Sequence, residues 1–331
     1  MCGRPGQSSP RKGIAPLKII GSSNARVGLP LGMAVLRKGG SALDAVELAI
    51  RAVESNPLDH TVGLGGLPNL LGTVELDASI MDGTTRAAGA IGGVHRFEHP
   101  ISIARRVMQE LPHAFLVGEG AERFARECGF EEVDLLTEEA LEMYARGLRQ
   151  GGVEAPFADA VLRALVGRLA TQPDRVSGKE AGKDAGTVNV LALDQHGNLA
   201  AGVSTSGFAW KYPGRVGDSA VIGAGNYCDS RYGAAACTGR GEMAIRASTA
   251  HTVVTHLRSG AGPQESGRRA MSDLSDFADP YFSSMNCVVL APDGNHAAFS
   301  TLETATYVYM DAQSKDVQEE PRTHVPWLAG A

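Results

Sequence analysis

Residues 174–186 (DRVSGKEAGKDAG) are small and charged, with neither helical nor alternating apolar periodicity, and the run stops at Thr187, where an apolar strand begins abruptly (TVNVLAL). Two readings fit that junction. One is a surface loop leading into a strand whose first residue is a β-branched threonine, and on this segment alone it is the preferred one. The other is an autoprocessing site. A cut between Gly186 and Thr187 would place a hydroxyl nucleophile beside its own α-amine, a base with a reference pKa of about 7.7–8.0. Nucleophile and base would then belong to one residue, an activated hydroxyl of the N-terminal-threonine kind.

The residues that follow favour the second reading. Asp194-Gln195-His196-Gly197-Asn198 reads as a turn and Leu199–Thr205 as a returning strand, so a β-hairpin is expected. Beyond it lie STSG at 204–207, PGRVGDS at 213–219, GAGNY at 223–227 and CTGRGE at 237–242. Glycines this dense, interleaved with Thr, Arg and Asp, suit loops whose backbone approaches a ligand closely. Earlier in the chain, GGSALDAVE at 39–47 reads as a helix start, with Ser41 as N-cap and an acidic residue three positions on. Ala42, Val46, Ala49, Ile50 and Val53 form the apolar stripe of that helix.

Taken together these strings resemble the N-terminal-nucleophile asparaginases, a family that comprises glycosylasparaginase, plant-type L-asparaginase and isoaspartyl peptidase. The shared run is G-T-V-x-x-x-A-L-D-x-x-G-N-L-A-A-x-x-S-T-x-G, then P-G-R-V-G-D-S, G-A-G-x-Y and T-G-x-G-E, in order and without gaps. GGSALDAVE, then VGLGG at 62–66 and MDGTT at 81–85, resemble the glycosylasparaginase branch. The resemblance covers roughly residues 18 to 310.

It implies a four-layer αββα sandwich of the N-terminal-nucleophile hydrolase type, α+β in class. One domain, 1–331, would be cut into an α chain (1–186) and a β chain (187–331), paired as a dimer of αβ units. The implied reaction is hydrolysis of the side-chain β-amide of an aspartyl unit with free α-groups. Thr187 corresponds to the nucleophile and Thr205 to the threonine whose hydroxyl tunes it. Thr238 and the N–H of Gly239 correspond to the oxyanion hole, and Arg215 and Asp218 to the clamp on the substrate's α-carboxylate and α-ammonium. Without the resemblance, Thr205 reads as an ordinary strand residue and Arg215/Asp218 as a surface ion pair on a turn.

The departures concern the leaving group. Glycosylasparaginases carry an aromatic run, Trp-x-Phe, before an Asn-Ala pair; here the stretch is Ile20-Gly21-Ser22-Ser23-Asn24-Ala25. Gly186 precedes the nucleophile, as in the plant-type and isoaspartyl branch, and Asn189 stands where a glycine is usual. The expectation is an enzyme strict about the aspartyl end and permissive about the other. N4-(β-N-acetylglucosaminyl)-L-asparagine, L-asparagine and β-aspartyl dipeptides are the candidate substrates. The rivals are a threonine endopeptidase of the same fold and a non-catalytic binding protein; retention of Thr187 and Thr238 speaks against the latter.

Composition sets limits. A net charge of −6 and the lack of a basic stripe interleaved with aromatics argue against nucleic acid. No apolar run approaches 18 residues, so no membrane partner is expected. The first twenty residues have no apolar core of a secretory signal. Five cysteines without CxxC spacing fit a reducing compartment, hence the cytoplasm, rather than a disulfide frame or zinc site. Gly223-Ala224-Gly225 lacks the third glycine of a dinucleotide fingerprint, and Gly178–Asp184 lacks the Ser/Thr of a P-loop. His95 and His99 flank Pro100 without a paired Glu. No cofactor and no side-chain metal site are expected.

Overall fold

A computed structural model of the chain describes residues 15–149, 186–279 and 284–328; the charged run at 174–185 lies outside them. The expected hairpin forms from β5 (Val188–Leu193) and β6 (Leu199–Thr205). Asp194 closes its turn, Oδ1 accepting from the N–H groups of His196 at 2.9 Å and Asn198 at 3.0 Å, the local bonding that makes Asp a turn residue.

Around this hairpin grows an eight-stranded sheet. Its other members are β1 (Lys18–Ser22), β2 (Leu76–Asp82), β3 (Ala88–Val94), β4 (Phe115–Val117), β11 (Thr306–Asp311) and β12 (Gln318–Pro321). The order is β12-β11-β1-β5-β6-β2-β3-β4. A five-stranded sheet joins β7 (Asn226–Asp229), β8 (Gly233–Gly239), β9 (Met285–Leu290), β10 (His296–Ser300) and β13 (Thr323–His324) in the order β13-β10-β9-β8-β7.

Period-two alternation sorts β5 between two apolar clusters. Val188, Val190 and Ala192 pack against α1 (Leu29–Arg37) and α2 (Ala42–Glu54), through Met33, Val46 and Ile50. Leu191 and Leu193 turn the other way and meet Ala234, Ala236, Val288 and Leu290 of the small sheet. The far face of the small sheet, with Ala235, Cys287 and Val289, packs against α7 (Thr249–Arg258) and α8 (Pro263–Ser272). Each fully buried Val or Leu is worth roughly 1.5–3 kcal/mol. The other α-helices among the described residues are α3 (Pro100–Glu110), α4 (Gly118–Glu127), α5 (Glu138–Arg149) and α6 (Gly241–Ala247).

Helix α2 starts as its sequence predicts: Ser41 Oγ accepts from the Asp44 N–H at 3.1 Å, a cap worth about 1 kcal/mol. Ala42, Val46, Ala49, Ile50 and Val53 are all buried. Cys128, Cys228, Cys237 and Cys287 are free thiols. No described helix is long and apolar enough to cross a membrane.

Candidate active site

The hairpin ladder, in which Val188 faces Ser204, continues outward to set Thr187 opposite Thr205. Both are buried, 6% and 2% exposed. Thr187 Oγ1 lies 3.2 Å from Thr205 Oγ1 and also within hydrogen-bonding contact of the Gly186 carbonyl. Thr205 Oγ1 in turn donates to that carbonyl at 2.7 Å and accepts from the Gly207 N–H at 2.9 Å. A proton held on the Gly186 oxygen draws electron density from the carbonyl carbon nearest the Thr187 hydroxyl.

Thr187, Thr205, Arg215, Asp218 and Gly239 line one recess, together with Gly186, Gly207, Phe208 and Gly217. Thr238 is not part of that lining. It sits one residue before Gly239 at the end of β8, where its Oγ1 accepts from Asn286 Nδ2 at 3.2 Å. Because that bond uses an Oγ1 lone pair, the Thr238 proton stays free to donate. Gly239 has φ 112°, and a Cβ there would collide with the Ser284 carbonyl, so only glycine fits.

The loop carrying Arg215 hangs from two carboxylates at the start of β2. Glu75 Oε1 accepts from the Gly214 N–H at 2.8 Å, and Asp77 Oδ2 from the Gly217 N–H at 3.0 Å. Lys211, almost fully buried, donates its Nζ to the Glu75 carbonyl at 3.0 Å and lies 3.7 Å from Glu75 Oε2. Burial lowers the Lys211 pKa and raises that of Asp77, while Coulombic attraction between the pair opposes both shifts. Arg215 points Nε and Nη2 at Glu242 Oε1, 3.1 and 3.0 Å away, with its guanidinium 4.5 Å above the Phe208 ring.

Asp218, 4% exposed, has no hydrogen-bond partner for Oδ2 among the described residues. Burial pushes its pKa up to about 7, with the nearby Arg215 pulling the other way. Gly241 leaves room for it, since a Cβ there would lie 2.6 Å from Asp218 Oδ1. An ammonium arriving at this carboxylate would restore its charge and fill the open hydrogen-bonding position. Affinity for free aspartate is therefore expected to weaken as pH falls through about 7, where Asp218 takes up its proton. Asp218→Asn should flatten that dependence, as read by titration calorimetry from pH 5 to 9; an unchanged pH profile in the variant would remove Asp218 from ammonium binding.

Several supporting residues escaped the sequence reading. Glu242 lies inside the T-G-x-G-E string but carries no visible role until Arg215 is seen against it. Glu75 and Asp77 alternate with apolar neighbours at the entry to β2, the one local signal of acids turned to a common face. Lys211 has no sequence signal. His95, set aside there as a metal ligand, pairs through Nδ1 with Glu122 at 2.7 Å.

The family model described as Asparaginase matches residues 25–319. The chain is 39% identical over 240 residues to the N(4)-(Beta-N-acetylglucosaminyl)-L-asparaginase of Elizabethkingia miricola, covering 72% of this chain and 64% of that relative. It is 38% identical over 297 residues to the plant-type L-asparaginase of Pyrococcus horikoshii, covering 89% and 90%. With the isoaspartyl peptidase/L-asparaginase of Mus musculus it shares 36% identity over 243 residues, covering 72% and 67%. Similarity of this extent, over a recess with two facing threonine hydroxyls, defines a hydrolase acting on amide bonds. The chain belongs to the asparaginase family.

Proposed function

We propose that the protein cleaves its own Gly186–Thr187 bond and then hydrolyses the side-chain amide of an aspartyl unit whose α-groups are free. The observation that carries this reading is the Thr187–Thr205 hydroxyl pair on the Gly186 carbonyl, beside a buried carboxylate with an open hydrogen-bonding position. In processing, Thr187 Oγ adds to the Gly186 carbonyl carbon, its proton passes to the peptide nitrogen, and the resulting ester is opened by water. Gly186 is left as a carboxylate and Thr187 as a free amine. The chain then comprises 1–186 and 187–331 within one hydrolase domain. The succession of helices, large sheet, small sheet and helices supports a four-layer αββα sandwich.

In turnover, Arg215 forks onto the substrate α-carboxylate and Asp218 takes its α-ammonium. Binding requires Arg215 to share or leave its pairing with Glu242. Thr187 Oγ adds to the side-chain carbonyl while the α-amine takes its proton and passes it to the departing amine. Thr238 and the Gly239 N–H hold the tetrahedral oxygen; removing one such donor costs about 10²–10³ in rate. Water then hydrolyses the β-aspartyl ester through the same amine.

The glycosylasparaginase-like reading rests on GGSALDAVE and the similarity to the Elizabethkingia enzyme; L-asparaginase or isoaspartyl peptidase activity is the alternative, favoured by Gly186 and by the Pyrococcus relative. A dimer of αβ units in the cytoplasm completes the expectation. Purified enzyme assayed side by side on glycosylated asparagine, asparagine and a β-aspartyl dipeptide should release aspartate from at least one. Release from none, by a fully processed enzyme, would leave the non-catalytic rival standing.

A further inference from the structure

Sheet order separates the two ends of a bound substrate. Strand β5 lies between β1 and β6. The Arg215/Asp218 loop hangs from β2, on the far side of β6, so on the proposed reading the aspartyl end lies that way and the departing amine lies towards β1.

The side chains where β5 meets β1 are polar. Asn189 is fully buried and shares a face of β5 with Thr187, two residues or about 6.6–6.8 Å along the strand. That face looks across to the small sheet, because Val188 and Val190 turn to the helices. Asn189 Oδ1 accepts from the Ser22 N–H at 2.9 Å, and Ser22 Oγ accepts from the Asn189 N–H at 3.1 Å. A backbone N–H can only donate, so this bond fixes the orientation of the amide: Oδ1 towards Ser22, Nδ2 away from it. Nδ2 then finds no partner among the described residues.

Ser22 is itself held, donating through Oγ to Asn24 Oδ1 at 2.6 Å, with Asn24 Nδ2 donating to Asp59 at 2.8 Å. The small sheet supplies the complement. Asn286 pairs in register with Thr238 and donates its Nδ2 there, which leaves its buried Oδ1 without a partner. Val288 and Leu290 face the large sheet, so alternation turns Asn286 the same way. An unmatched buried donor on β5 and an unmatched buried acceptor on β9 thus sit on the strand faces turned between the two sheets, and each is costly to leave unmade.

The geometry points to Asn189 and Asn286 as a leaving-group subsite. It takes an amine whose uncharged substituent carries a hydroxyl or amide, able to accept from Asn189 Nδ2 and donate to Asn286 Oδ1. This rests on the proposed amidohydrolase reading and narrows the permissive leaving-group side expected from the sequence.

Two asparagines substituted on the side-chain nitrogen, one with 2-hydroxyethyl and one with propyl, differ only by a hydroxyl in place of a methyl. The enzyme should prefer the hydroxyethyl compound in kcat/KM by roughly tenfold or more, the size of one well-placed hydrogen bond. In Asn189→Gly and Asn189→Leu the ratio should fall to within about twofold; any general loss of activity cancels in it. A wild-type ratio near one, a preference that survives both substitutions, or hydrolysis of asparagine with neither analogue accepted would each overturn the subsite while sparing the amidohydrolase reading. Failure to hydrolyse asparagine or either analogue would overturn both.

Discussion

Thr187→Ala is expected to lose turnover by about four to six orders of magnitude, the cost of removing a covalent nucleophile, and to remain one chain of 34.6 kDa. The two losses share a cause. The Thr187 hydroxyl is the group set against the Gly186 carbonyl in the intact chain, and on the proposed reading it is the group the substrate would meet after cleavage. Thr187→Ser keeps a hydroxyl at the same place and should both process and turn over, which separates loss of the nucleophile from loss of packing. Retention of more than about a hundredth of wild-type kcat in Thr187→Ala, measured by aspartate release, would move the nucleophile elsewhere.

Arg215→Leu should lower kcat/KM by about 30- to 5000-fold, equivalent to ~2–5 kcal/mol for truncating one partner of a buried hydrogen-bonded charge pair. Glu242, whose Oε1 takes both Arg215 bonds, would keep its ion pair with Arg240 Nη1 through Oε2 at 3.1 Å. The substrate-side counterpart is cleaner because it leaves the protein intact. Asparagine amidated at its α-carboxylate, or acetylated at its α-amine, should fail even at high concentration. The acetylated form leaves the open position on the buried Asp218 carboxylate unfilled, and the amidated form offers Arg215 no carboxylate in exchange for Glu242. Rapid cleavage of asparagine blocked at both positions would refute the clamp and revive the endopeptidase alternative.

How legible these features were depends on the range of the physics behind them. The β5–β6 hairpin could be read because alternation and an Asp-x-x-Gly-Asn turn are local, and α2 because its cap and stripe lie within one 13-residue helix. Thr187, Thr205, Arg215, Asp218 and Gly239 were legible only through the resemblance to a known family, and the fold gathers them at one recess. Thr238 came from the same motif, yet its side chain is engaged with Asn286, a partner 48 residues on. The supports were harder: Glu75 and Asp77 bond to backbone N–H groups 139 and 140 residues away, a separation no window of local pattern spans. Asn189 was visible only as a departure from a familiar glycine. Its partner comes from β1, 167 residues away, whose pairing with β5 places Ser22 alongside.

N-terminal sequencing of freshly purified protein, followed over time beside its rate of aspartate release, tests the central claim most directly. The account predicts two chains, the second beginning Thr187-Val188-Asn189, and activity that rises in proportion to that new terminus. Full activity from a chain still joined at Gly186–Thr187, or a processed terminus at any other residue, would contradict it.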